Sequence, residues 1–115
     1  MKPYNLEERT FEFARDCRFL ILKLQKNISN IEDGKQLVRS SGSIGANYIE
    51  ANEKPGDKDF IFRLKIARKE AKESMYWLNL LESTNPNHKL QIQELSGEAN
   101  ELRKILSAII SKTSI

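Results

Sequence analysis

The side chains able to do chemistry in this chain are few, and their spacing limits what they can do. One histidine, His88, and one cysteine, Cys17, stand among 115 residues. A di-metal carboxylate bundle needs Glu-x-x-His pairs projecting into its core, a zinc site needs several Cys or His ligands, and a Cys or Ser nucleophile needs a positioned base. A lone histidine following the turn-forming Thr84-Asn85-Pro86-Asn87 supplies none of these. His88 reads as an exposed turn residue. Cys17, which has no second cysteine to pair with, reads as a small core residue in a reducing compartment. Glu70 and Glu73 are paired carboxylates of the kind that perform acid–base work, yet on a charged helix such residues serve as partners of Lys or Arg. The SGSIG run at 41–45 follows no strand and lies inside a helical pattern, so it reads as packing and not as a phosphate-cradling loop. The expectation is a protein with no catalytic residue, metal, cofactor or small-molecule substrate, and not an enzyme.

What the chain does carry is local positive charge. Residues 58–72 hold six Lys/Arg against two acids, a net +4 that leaves −1 for the rest of a +3 chain. On a helical wheel Lys65, Lys69, Lys72 and Tyr76 fall on the side opposite the apolar stripe. Lys65, Arg68, Lys69 and Lys72 are therefore candidates for phosphate contacts, with Arg63 and Lys58 behind them. Lysines spaced i, i+4 are also ordinary solubility dressing. A second apolar edge of the same helix, Phe62, Ile66, Trp77 and Leu80, together with off-stripe Phe11 and Phe19, suggests a self-association surface. In the preceding helix Arg39, Ser43, Asn47 and Glu50 form one polar stripe. It reads either as a solvated face or as an interhelix or intersubunit hydrogen-bond network.

Four amphipathic segments position these residues. Apolar periodicity predicts helices over about 6–27, 33–53, 58–83 and 88–112, with polar turn chemistry at Asn30–Gly34, a break at Lys54-Pro55-Gly56 and Asp57 as an N-cap. The second helix contains Gly42 and Gly45, whose small size would let another helix approach closely. The economical arrangement is one all-α domain over 1–115, an antiparallel up-down-up-down four-helix bundle. No apolar run approaches the roughly 20 residues needed to cross a bilayer, and the acidic N-terminal segment does not resemble a signal peptide. A cytoplasmic protein without a membrane partner is expected.

Two blocks carry a family pattern. RSSGSIGANYIEA at 39–51, followed by KIARKEAKESMYWLNLL at 65–81, resembles the bacterial four-helix bundle proteins encoded in intervening sequences of 23S ribosomal RNA genes. That family is in turn similar to the accessory variability proteins of diversity-generating retroelements. The resemblance implies a homopentamer of bundles with a basic, nucleic-acid-binding surface. It places Arg39, Ser43, Asn47 and Glu50 on the first family block and Arg68, Glu70, Glu73, Tyr76, Trp77 and Leu78 on the second, and it brings no catalytic residue. The resulting expectation is a non-enzymatic homo-oligomer that binds nucleic acid, RNA in particular. The alternative is a protein-interaction scaffold or accessory subunit that makes no direct contact with nucleic acid.

Overall fold

Asparagines start the first two helices. Asn5 Oδ1 accepts from the Glu8 N–H at 3.1 Å and Asn27 Oδ1 accepts from the Asn30 N–H at 2.9 Å, each satisfying a donor that the first helical turn leaves unpaired. The computed structural model describes residues 5–53 and 56–113. It contains α1 (Leu6–Lys23), α2 (Ile28–Asn52), α3 (Asp57–Thr84) and α4 (Lys89–Lys112), with a 3₁₀ turn at Pro86–His88 ahead of α4. Among the described residues there is no strand.

Cross-helix contacts fix the directions. Thr10 lies beside Gly45 while Arg18 donates to the Val38 carbonyl; Ser40 meets Ser74 while Asn47 meets Arg63; Arg68 reaches Ser107 while Gln93 reaches Glu82. In each pair one helix ascends as the other descends, as the expected up-down-up-down order requires. Arg9 with Glu98 and Lys23 with Gln91 close the circuit between α1 and α4, the adjacent pair that touches least.

The predicted stripes meet in one core. Phe13, Cys17 and Leu20 of α1, Leu37 and Ile44 of α2, Leu64, Ala67, Ala71, Leu78 and Leu81 of α3, and Ile92, Ala99, Leu102 and Leu106 of α4 are all buried. Gly45 has an internal reason: a Cβ there would sit 2.7 Å from Thr10 Oγ1, so only glycine allows α1 and α2 this close.

Three boundaries differ from the sequence expectation. The first helix ends at Lys23, because Leu24 turns extended, and not near residue 27. The second begins at Ile28, five residues before the expected start, so the supposed Asn30–Gly34 turn is helical and the real turn is Leu24–Asn27. Ile28, which continues the apolar spacing of α1 in the sequence, is exposed at the start of α2. Gly56, not Asp57, occupies the N-cap of α3. Asp57 and Asp59 fall in its first turn, where negative charge suits the helix dipole. Lys54 and Pro55 of the predicted break lie outside the described residues.

Candidate nucleic-acid interface

The α3 sequence puts charged residues on both sides of its apolar stripe, and the two neighbouring helices treat them differently. On its outward face, the side chains of Lys65, Arg68, Lys69, Lys72, Glu73 and Tyr76 line one open groove of about 410 Å³, with Arg68 at the edge nearest α4 and Glu73 at the edge nearest α2. Arg68 is anchored, donating to Ser107 Oγ of α4 at 3.3 Å. Lys69 stands 4.0 Å from Glu73 as an exposed pair, worth little in water. Among the described residues Lys65 and Lys72 have no acidic partner within ion-pair distance. Tyr76 is 58% exposed, its ring set edge-on against Trp77 with centroids 5.1 Å apart. Four cations beside an exposed ring form the combination that holds a phosphate backbone and stacks a base.

Toward α2 the charged side chains are consumed internally. Arg63 donates to Asn47 Oδ1 at 3.2 Å, and Asn47 donates to the Ser43 carbonyl and hydroxyl, both at 2.9 Å. Arg39 reaches Glu73 at 3.4 Å and Glu70 at 4.0 Å. The polar stripe of α2 is thus an interhelix network within one chain, and Glu50 lies exposed farther along the same helix. Glu70 is only 8% exposed, and its Oε1 is buried with no hydrogen-bond partner. Desolvation, then the adjacent Glu73, holds its carboxyl above the ordinary glutamate range, against opposing attraction from Arg39 and Lys69. Beneath it Ser74 Oγ bonds to Ser40 Oγ at 2.9 Å and to the Glu70 carbonyl.

A family model described as 23S rRNA-intervening sequence protein matches residues 4–108. The chain belongs to this family. A solved structure of a protein of unknown function from the S23 ribosomal protein family of Bacteroides thetaiotaomicron VPI-5482 is similar at 36% identity and a TM-score of 0.77, covering 90% of this chain and 96% of that one. No curated protein matches.

On this member of the intervening-sequence family the six candidate phosphate contacts separate. Lys65, Arg68, Lys69 and Lys72 share the groove, Arg63 turns away to α2, and Lys58 sits exposed at the start of α3 outside the groove lining. The candidate interface residues do not form one surface. Phe62 is exposed on the outer side of α3, while Trp77 packs partly against the protein's own core. Phe11 lies on the α1–α2 seam. Phe19 lies on the α1–α4 seam, with Arg15 over its ring at 5.7 Å. Ile66 and Leu80 are half-buried. Sequence reasoning put Tyr76 beside the lysines but gave it no part; its place four residues after Lys72 was the available signal.

His88 is in the turn as expected, though half-buried instead of exposed. Cys17 is buried, and desolvation pushes its thiol up to about 12, which leaves no thiolate for nucleophilic work. Among the described residues no three His, Cys, Asp or Glu side chains come together to hold a metal ion, and no helix is long and apolar enough to cross a membrane.

Proposed function

We propose that this intervening-sequence family protein is a non-enzymatic, cytoplasmic homo-oligomer, pentameric as its family resemblance implies, that binds nucleic acid, RNA in particular, through the α3 groove. The observation that carries this reading is the convergence of Lys65, Arg68, Lys69 and Lys72 with exposed Tyr76 in one open groove on the outward face of α3. Cations that repeat around an assembly concentrate a field that one +3 chain does not generate. Phosphate contacts of this kind give affinity without base specificity, and Tyr76 offers a ring face to an unpaired base.

The test is a fluorescence-anisotropy titration against a structured RNA and a DNA duplex of equal length across several salt concentrations. Four phosphate contacts per protomer predict a slope of log K against log salt near about −3.6 for the duplex. Tighter binding to RNA with unpaired loops is expected if Tyr76 stacks. No binding at low salt would overturn the reading and favour an accessory scaffold that meets proteins only.

A further inference from the structure

The seam between α1 and α2 is an uncovered apolar feature that runs along both helices. Four of the nine large apolar side chains exposed among the described residues, Phe11, Leu22, Ile31 and Ile49, lie along it. It consists of two furrows end to end. One of about 490 Å³ is lined by Phe11, Ala14, Gly42, Gly45, Ala46 and Ile49, and one of about 380 Å³ is lined by Ile21, Leu22, Ile31, Gly34 and Val38. The rim carries more cations than acids: Arg15, Arg18, Lys26 and Lys35 border the furrows with Glu7, Arg15 being paired with Asp16 at 3.1 Å and Lys35 with Glu32 at 3.7 Å. A concave apolar floor with cationic edges fits a helix that presents small or apolar residues flanked by acids.

The chain contains such a helix edge. Along the outer side of α4, Leu90, Glu94, Gly97, Glu101 and Ala108 follow one another at helical spacing, and all are exposed. Leu90 is 80% exposed. Gly97 has no internal explanation. It stands mid-helix, where glycine weakens a helix relative to alanine, and a Cβ there would meet nothing within 4 Å. Close approach of another backbone is what a glycine in that position permits. Glu101 is paired only with exposed Lys104, at 3.8 Å. The outer ridge of α3 is the poorer occupant, because Phe62 is bordered by Lys58, Lys65 and Lys69 and would bring cations against cations.

We propose that the outer edge of α4 of one copy docks into the α1–α2 seam of the next. Gly97 lies at the point of closest approach, and Glu94 and Glu101 face the cations of the rim. The inference rests on the homo-oligomeric reading above and names its contact. That contact is heterologous. Since α1 touches both α2 and α4, its two surfaces lie on neighbouring sides of the bundle, so each added copy turns relative to the last, the geometry that a closed ring requires. It leaves the α3 groove uncovered.

Light-scattering masses of three proteins test this. Gly97→Arg fills the close-approach point where nothing inside the chain is touched, and it favours the helix. Ile49→Glu places a charge on the seam floor at a side chain already 44% exposed. Each variant alone is expected to fall to monomer mass with its helical circular dichroism retained. An equimolar mixture is expected to recover a dimer, because one partner keeps an intact seam and the other an intact α4 edge. Gly97→Arg at wild-type mass, or a mixture that stays monomeric, overturns the docking. A wild-type protein that is itself monomeric overturns the homo-oligomeric reading, a separate and distinguishable failure.

Discussion

On the flank of α3 that faces α2, Arg63, Glu70 and Glu73 all lie within reach of α2 side chains, whereas on the outward face Lys65 and Lys72 meet open space. Both flanks are charged; the neighbours differ. Helix α2 offers Arg39 and Asn47 across the gap, and α4 offers little beyond Ser107 to Arg68. Charges on the first flank therefore join two helices, and those on the second remain available to something outside the chain. The lesson is that a local +4 overstates a binding surface until each cation has been assigned an inward or an outward partner.

If the two flanks divide stability from binding, substitutions should separate them. The largest effect is expected at Trp77, which shares the α2 side of α3 with Glu70 and Glu73 and packs against the core. Trp77→Ala should cost about 3 kcal/mol of unfolding free energy in urea titration, with the solution mass at wild-type value under folding conditions. A lowered mass in a stable bundle would instead return Trp77 to the subunit contact suggested by its sequence spacing. Next, Lys65→Glu combined with Lys69→Glu should weaken RNA binding about a hundredfold and flatten the salt slope by about 2, across all sequences alike. Arg63→Glu should leave affinity nearly unchanged while destabilising the α2–α3 contact, and equal losses from both changes would erase the distinction between the flanks.

The smallest effect is at Glu70. Its carboxyl titrates above the ordinary glutamate value of 4.5 in the folded state, so its contribution favours folding below the unfolded value and is lost as pH rises through the folded one. Glu70→Gln should therefore raise stability near neutral pH, by less than either change above. The gain should vanish toward pH 4.5, as measured by thermal melts across that range. A gain that grows on acidification would mean that Arg39 more than compensates the carboxylate's desolvation.

The core and the helical architecture were legible because burial imposes a 3.6-residue spacing, and Leu64, Ala67, Ala71, Leu78 and Leu81 display it plainly. The end of α1 was not legible for the same reason. Leu20, Leu24 and Ile28 continue the spacing of its stripe across a real turn, and periodicity does not register a change of direction. Asn30 and Gly34 look like loop residues by type, but a nonlocal partner and close contact with Ile21 place them inside α2. The basic groove was legible in part, since a wheel groups Lys65, Lys69 and Lys72. The departure of Arg63 and the burial of Glu70 depend on which helix lies on which side, information that one helix does not contain. The α1–α2 seam escaped notice because its floor is built from small residues on two elements, neither apolar enough alone.

A buried contact between the start of α2 and the end of α3 sets which arrangement of the stripes is the native one. Asn30 of the α2 start and Asn85 of the α3 end are both buried and exchange amide hydrogen bonds at 3.0 and 2.8 Å; each donates as well to a backbone carbonyl, of Gln25 and Leu81. Apolar stripes of Leu and Ala tolerate sliding by a turn, since another small or branched residue simply takes the vacated place. Two amides 55 positions apart do not: a slip of one turn, about 5.4 Å, would leave both unsatisfied in a water-poor setting. The pair acts as a register key, excluding near-native misalignments of α2 on α3 and thereby fixing which charged residues of α3 emerge on which side.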